Sequence, residues 1–164
     1  MDDVRIVPAR ADDVPVILRM IKGLAEYEQL SHEVVATEES LRASLFGANP
    51  AAEVVLAYVG REPIGFALYF HNFSTFLGRA GLYLEDLFVV PSWRGKGIGR
   101  TLLGYVASVA VERACGRMEW SVLDWNQPAI GFYQGLGAQP MSDWTVYRLT
   151  DESLKRLATS ESRP

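Results

Sequence analysis

The sequence predicts an α/β fold in which helices cover both faces of a mixed β-sheet. Segments rich in β-branched and aromatic residues alternate with segments whose apolar residues recur at helical spacing. A strand over 82–90, a helix over 97–114 and a strand over 117–123 form a β-α-β crossover, so these two strands should be parallel. Two further strands flank a tight turn at Gly60–Pro63 and should pair as an antiparallel hairpin. Parallel and antiparallel pairs in one chain indicate the mixed sheet.

The first part of the chain supplies a strand and two helices. Residues 4–9, VRIVPA, predict a short first strand that a proline closes. Asp12 or Asp13 can cap the helix that follows. A second, shorter helix fits residues 37–46, where Thr37 is the expected N-cap.

The last part of the chain predicts a helix and a strand. Residues 126–138 fit a helix with Asn126 as its cap and Gly137 past its end. Residues 143–149, DWTVYRL, have the composition and alternation of a final strand. We expect one domain over residues 1–158, followed by a loose tail over residues 159–164.

The composition is that of an ordinary globular protein, with 49% apolar and 22% charged residues. A net charge of −4 argues against a nucleic-acid partner and suits a cationic one. No apolar run approaches membrane-spanning length and no secretory h-region is present, so we expect a cytoplasmic protein without a membrane partner. Cys115, His32 and His71 are too few and too scattered for a typical zinc site, and we expect no metal.

The most informative segment is the basic turn between the 82–90 strand and the helix after it. We call this segment the glycine turn; its residues are Arg94, Gly95, Lys96, Gly97, Ile98, Gly99 and Arg100. Backbone amides at a helix N-terminus suit a phosphate, and glycines let it approach the main chain. A glycine-rich loop with solvated basic side chains is the alternative, and the bare pattern does not decide between the two.

The spacing of the glycine turn differs from two familiar phosphate loops. A Walker loop has Lys-Ser/Thr after its final glycine, and a dinucleotide fingerprint has the spacing G-x-G-x-x-G. Here the spacing is G-x-G-x-G, and Gly99 is followed by Arg100 and Thr101. Both of those loops are therefore excluded.

The segment VVPSWRGKGIGRTLL resembles the acyl-CoA pyrophosphate motif of GCN5-related N-acetyltransferases, R/Q-x-x-G-x-G/A, through Arg94, Gly97 and Gly99. The blocks LAEYEQL, LYLEDLFV, LDWNQPAIGFY and MSDWTVYRL are similar, in this order, to the diamine acetyltransferase branch, the spermidine/spermine and thialysine enzymes. The resemblance covers nearly the whole chain. It implies the acyl-CoA N-acyltransferase (GNAT) fold and acetyl-CoA as the co-substrate.

The resemblance implies that acetyl-CoA lies between two splayed parallel strands. The 82–90 strand would offer main-chain groups to the pantetheine, and the glycine turn would cradle the pyrophosphate. Asn126 and Tyr133 would face the cofactor from the other side, and residues seven apart lie two turns apart on one helix face. The implied cofactor-binding residues are Leu87, Phe88, Val89, Arg94, Gly95, Lys96, Gly97, Ile98, Gly99, Arg100, Asn126 and Tyr133.

Acetyl transfer to an amine needs one group that removes a proton and one that supplies a proton, because an alkylammonium has a pKa of about 10. By resemblance Tyr133 is the general acid, although helical periodicity alone would favour a core tyrosine. By resemblance Glu85 lies in the substrate cleft, where it can accept the proton directly or through water. Asp86 is either an ammonium-binding group or a structural hydrogen-bond acceptor. Both carboxylates interrupt an apolar strand, so each should meet a partner, a cation or water.

Three residues bear on the acyl acceptor through the resemblance. Tyr27 and Glu28 match a substrate-contacting pair at the end of the first helix; without that match they would be a solvated helix end. Phe76 stands where the branch often carries a substrate-contacting tryptophan. This departure favours thialysine-like or short diamine acceptors over long polyamines.

The predicted function is direct acetyl transfer from acetyl-CoA to a primary amine of a small cationic substrate, without an acetylated Cys115. One alternative is transfer to a protein lysine or N-terminus. Another is a catalytically silent acyl-CoA sensor, which would not need a general acid and a general base, although both Tyr133 and Glu85 are present here. The branch also implies a homodimer with composite active sites.

Overall fold

A computed structural model describes residues 3–159 of the chain, which divides into two compact units. The first unit extends to Leu123 and the second begins at Asp124. The elements of the first unit are β1 (Val4–Pro8), α1 (Val14–Tyr27), α2 (Glu38–Phe46), β2 (Glu53–Val59), β3 (Glu62–Ser74), β4 (Arg79–Val89), α3 (Ile98–Glu112) and β5 (Met118–Trp120). Those of the second unit are α4 (Gln127–Gly135) and α5 (Asp151–Thr159).

The strands of the first unit form one sheet in the order β1-β2-β3-β4-β5. Neighbouring strands are antiparallel except β4 and β5, which are parallel, with Leu82 opposite Met118. The predicted mixed sheet, β2–β3 hairpin and β-α-β crossover are confirmed. β5 has three residues and is therefore shorter than the strand predicted over 117–123.

Helices cover both faces of this sheet, as predicted. On one face Ile17 of α1 packs in a buried cluster with Phe66 of β3 and Phe88 of β4. Gly65, next to Phe66, faces the other side because successive strand residues point to opposite faces. A side-chain carbon placed on Gly65 would lie 3.2 Å from Leu102, which belongs to α3. The glycine thus lets α3 approach the second face closely.

The β3–β4 hairpin is long, and β4 begins three residues before the strand predicted over 82–90. β3 continues past its last β2 contact, at Tyr69, and pairs with β4 as far as Ser74 opposite Arg79. Phe76 lies in the turn of this hairpin and its side chain is 99% exposed.

The second unit differs from the prediction after its first helix. Asn126 caps α4 as expected, and its side chain accepts a hydrogen bond from the Ala129 amide at 3.4 Å. The prediction of a strand over 143–149 is wrong: this segment is irregular and exposed, and the structure has no strand among residues 124–159. Alternation alone does not make a strand, because the backbone groups must also find a neighbouring strand to pair with.

The described residues end in a helix, α5, that the sequence analysis did not predict. Thr159, expected as the first residue of a loose tail, is the last residue of α5. The rest of that predicted tail, residues 160–164, lies outside the described residues. Across residues 3–159, every helix is too short or too polar to cross a membrane.

Candidate functional site

The β4 strand carries an extra residue at the centre of the predicted site. Asp86 lies opposite Leu68 and Leu84 lies opposite Tyr69, so Glu85 has no residue of its own on β3. This arrangement is a β-bulge, which bends a strand and re-aims the side chains next to it. The bulge coincides with the two carboxylates that interrupt the apolar strand.

Because of the bulge, the side chains of β4 before and after Glu85 do not follow one regular alternation between the two faces of the sheet. Directly opposite residues on antiparallel strands share a face, whereas successive residues such as Leu68 and Tyr69 point to opposite faces. Leu68 packs against the cluster that contains Ile17 of α1. Asp86 therefore lies on the α1 face, and Leu84, two residues away, lies on the α3 face. A regular strand would have placed both on the same face.

The charges of two other carboxyl groups act on Asp86, those of Glu85 beside it in the bulge and of Glu28 at the end of α1, and we call these three groups the carboxyl cluster. Burial, and then the charges of Glu85 and Glu28, raises the pKa of Asp86 to about 6. Burial also raises the pKa of Glu28, which is the C-cap residue of α1. Glu85 itself is exposed. A cation bound among them would relieve both the repulsion and the cost of desolvation, so the cluster suits an ammonium group.

The glycine turn opens α3 with its main chain accessible. Gly97 is the residue before the helix, with a φ of 82°, and no side chain caps the helix end. Gly95 has a φ of 75°, also in the left-handed region that glycine tolerates best. The first amides of a helix have no partner within the helix and carry partial positive charge, which suits an anion.

The space beside these glycines fits the close approach of a phosphate group. A side-chain carbon placed on Gly95 or Gly97 would meet no atom within 4 Å. On Gly99 it would meet only Val89 Cγ2, at 3.9 Å. Any side chain at these three positions would occupy that space. The predicted pyrophosphate site is therefore sterically open, and an acyl-CoA phosphate is compatible with it.

The first two cations of the glycine turn rest on aromatic rings. The Arg94 guanidinium lies 4.7 Å from the ring centroid of Tyr27 and 5.3 Å from that of Phe88, and Arg94 Nε donates to the Val89 carbonyl at 2.9 Å. Lys96 Nζ lies 4.3 Å from the ring centroid of Trp93. These contacts hold the two positive charges of Arg94 and Lys96 next to the glycines of the turn.

The implied cofactor-binding residues of β4 and the first residue of α3 differ in how far they are buried. Phe88 and Ile98 are buried. Leu87 and Val89 are half-buried. The main-chain contacts with a cofactor that the resemblance implies for β4 stay a prediction.

Asn126 and Tyr133 belong to the second unit, where α4 carries both. Asn126 is 8% exposed and is the N-cap of the helix. Tyr133 is half-buried, and its ring centroid lies 5.4 Å from that of Phe132. The two residues thus keep the helical spacing that the sequence predicts.

The sequence analysis missed the bulge and the contact between Tyr27 and Arg94. Two adjacent acids inside an apolar strand were a signal of irregular pairing, but they did not reveal the register shift. The contact of Tyr27 with Arg94 joins residues far apart in the chain and has no local signal. Within residues 3–159, no three histidine, cysteine, aspartate or glutamate side chains form a group that could hold a metal ion.

Comparison with known proteins places this chain in a family. The model of the acetyltransferase (GNAT) family matches residues 21–138. Thialysine N-epsilon-acetyltransferase of Mus musculus is 40% identical over an alignment that covers 96% of this chain and 99% of that protein. L-ornithine N5-acetyltransferase of Arabidopsis thaliana is 33% identical, with 93% and 87% covered. An integron cassette protein from the mobile metagenome of V. cholerae has a TM-score of 0.81 and 28% identity, with 98% and 99% covered.

The family match includes α1 from Ile21, the bulged strand and the glycine turn. Relatives similar over nearly the full chain are named as acetyltransferases of amines. Acetyltransferases of this family use acetyl-CoA as co-substrate. The predicted fold class, family and enzyme class are therefore confirmed: the chain belongs to the acetyltransferase (GNAT) family and is an acetyl-CoA-dependent amine N-acetyltransferase.

Proposed function

We propose that this enzyme acetylates a primary amine of a small molecule that carries a second cationic group, with thialysine-like amino acids and short diamines as the preferred acceptors. The observation that carries this proposal is the carboxyl cluster of Glu28, Glu85 and Asp86. One amine must lose a proton in order to react, whereas a second ammonium can remain charged and be bound. Three carboxyl groups allow one to accept the proton while the others hold the charge.

The names of the relatives support this substrate class. The mouse relative is named for thialysine and the Arabidopsis relative for L-ornithine. Both compounds are small amino acids with a side-chain amine. A substrate of that kind presents a reactive amine at one end and charged groups at the other.

The roles of the residues follow from their chemistry. Acetyl-CoA supplies an acetyl group activated as a thioester. Glu85, exposed at the bulge, accepts the proton of the substrate ammonium directly or through water, and this frees the nitrogen lone pair for attack. Tyr133 keeps its phenolic proton at neutral pH and donates it to the sulfur as the C–S bond breaks, and the second proton that the acetylated nitrogen loses restores the phenol. Asp86 and Glu28 bind the distal ammonium through charge-assisted hydrogen bonds.

The glycine turn and β4 bind the co-substrate in this proposal. Main-chain amides around Gly95, Gly97 and Gly99 hold the pyrophosphate, and Arg94, Lys96 and Arg100 add positive charge. The main chain of Leu87, Phe88, Ile98 and Val89 and the side chain of Asn126 complete the cofactor contacts. The open space beside the glycines supports this assignment. Transfer is direct and needs neither a metal nor Cys115.

We further propose a cytoplasmic homodimer in which residues 1–158 form one domain, without a nucleic-acid or membrane partner. The C-terminal unit exposes aromatic and apolar side chains that a second copy of the chain would cover. Trp144, Val146 and Tyr147 are 75%, 84% and 92% exposed. Light scattering of the purified protein at micromolar concentration tests the dimer, and a monomer mass would contradict it.

Turnover of acetyl-CoA across a panel of amines tests the substrate proposal. The panel contains thialysine, lysine, L-ornithine, putrescine, spermidine, a short lysine peptide and, as the matched control, an alkyl monoamine of the same length as the diamine. We expect the highest kcat/KM for the amino acids and the short diamine. An equal kcat/KM for the monoamine would show that the carboxyl cluster does not bind a second cationic group of the acceptor. Reaction with the peptide alone would indicate a protein acetyltransferase, and turnover of none would favour an acyl-CoA sensor.

A further inference from the structure

Arg94 has three contacts that come from two different elements of the first unit. Its guanidinium lies over Tyr27, the last residue of α1, and over Phe88 of β4. Its Nε donates to the carbonyl of Val89, also in β4. The remaining two nitrogens of the guanidinium carry its other four N–H donors. The contacts therefore fix the stem and the plane of the side chain without using its terminal amino groups.

These contacts matter because an exposed arginine is otherwise mobile. Arg94 lies on the surface, and ordering a free arginine side chain upon binding costs rotamer entropy. A guanidinium already stacked on a ring has lost part of that freedom before the ligand arrives. Phe88 is buried, whereas Tyr27 is 36% exposed at the end of α1.

We propose that Tyr27 is a positioning residue for the phosphate-binding arginine: its ring holds Arg94 in the orientation that receives the pyrophosphate. This inference rests on the proposed function, in which the glycine turn binds acetyl-CoA. It assigns Tyr27 a role toward the co-substrate, in addition to the contact with the amine that the resemblance implies. The ring rather than the hydroxyl performs this role.

The position of Tyr27 has a consequence for how the two substrates communicate. Glu28, the next residue, belongs to the carboxyl cluster proposed for the amine. The end of α1 therefore contributes one residue to each binding site. A change at Tyr27 should act on acetyl-CoA through Arg94, and its effect should depend on the phosphates of the ligand.

The test measures dissociation constants by calorimetry on the full chain for acetyl-CoA and for acetyl-pantetheine, which lacks the pyrophosphate. Tyr27→Leu should weaken acetyl-CoA binding about two- to fivefold, the range expected for an exposed cation–π contact. It should leave acetyl-pantetheine binding unchanged. Tyr27→Phe, which keeps the ring, should bind acetyl-CoA within twofold of the parent chain. Tyr27→Met provides a second ring deletion if the leucine variant does not fold.

A double-mutant cycle with Arg94→Ala completes the test. Arg94→Ala should itself weaken acetyl-CoA binding, and Tyr27→Leu should then have no further effect. If Arg94→Ala weakens binding and Tyr27→Leu alone does not, the inference is wrong while the proposed cofactor site stands. If Tyr27→Leu has the same effect with and without Arg94, or acts equally on acetyl-pantetheine, the ring does not work through the arginine. If Arg94→Ala changes nothing, the cofactor site and the inference both fail.

Discussion

Replacement of Gly99 by leucine should separate the stability of the fold from the affinity for acetyl-CoA. Gly99 is the second residue of α3 and, unlike Gly97, does not have a φ in the left-handed region. The first added carbon would meet only Val89 Cγ2 at 3.9 Å, an ordinary van der Waals contact. Leucine is a better helix former than glycine by up to about 1 kcal/mol, so the variant should be as stable as the parent chain or more so. For a domain of this size that corresponds to a rise in Tm of about 2–4 °C at most.

The leucine side chain, which is larger than the alanine that the motif also allows at this position, should weaken acetyl-CoA binding. It would occupy the space through which a phosphate reaches the first amides of α3, and hydrogen bonds to charged groups contribute about 1.5–3 kcal/mol each. Loss of one such bond corresponds to a dissociation constant about 10- to 150-fold higher. Gly97→Val is a poorer test, because the φ of 82° at that position makes any side chain strained.

The matched control for Gly99→Leu is Gly104→Leu in the same helix. Gly104 also has open space around an added side-chain carbon, but it lies more than one turn further along α3. The control variant should keep its stability in thermal unfolding and its calorimetric affinity for acetyl-CoA. A stable Gly99→Leu protein that binds acetyl-CoA as well as the Gly104→Leu protein would refute the phosphate site at the glycine turn.

Four further results are expected. Tyr133→Phe should lower kcat by ~10²–10⁴-fold while calorimetry shows that acetyl-CoA still binds; near-normal kcat when chemistry limits turnover would make Tyr133 a packing residue. The pKa of Asp86 is about 6 in the folded state against an ordinary 3.8, because burial favours the protonated carboxyl. The contribution of Asp86 to the unfolding free energy is therefore largest below pH 4 and is lost as the pH rises through 6. Asp86→Asn should therefore gain up to about 3 kcal/mol of unfolding free energy relative to the parent chain between pH 4 and pH 7 in urea titrations, and a pH-independent difference would contradict the raised pKa. Glu28→Gln should raise KM for a diamine more than for a monoamine of equal length, whereas equal increases would remove Glu28 from the amine site. Cys115→Ala should keep most of the activity, and a trapped acetyl-cysteine would overturn direct transfer.

The features that the sequence predicted well are those set by neighbouring residues. The glycine turn, the cap at Asn126 and the β2–β3 hairpin each depend on a few adjacent side chains whose backbone preferences are strong. The crossover from β4 through α3 to β5 followed from the order of the elements and the handedness of such connections. These features could be predicted because each has a physical cause within one short segment.

The features that the sequence did not predict depend on distant partners. Residues 143–149 have the alternation of a strand, but a strand forms only where another strand accepts its hydrogen bonds. The register of β3 against β4 is likewise a property of the pair, so the bulge at Glu85 could not be derived from β4 alone. The same holds for Arg94, whose ring partner Tyr27 is brought to it by the packing of α1 on the sheet.

The bulge implies that the sheet can be built without Glu85. The pairs Leu68–Asp86 and Tyr69–Leu84 are already consecutive on β3, so deletion of Glu85 would bring them into consecutive order on β4 as well. Every other side chain of the strand would keep its face, including the buried Leu82, Leu84 and Phe88. The residue proposed to take the proton is thus a one-residue insertion in an otherwise regular ladder. Deletion of Glu85 should retain the core while removing both the proton acceptor and the bulge, whereas Glu85→Ala removes the carboxylate and keeps the extra backbone unit.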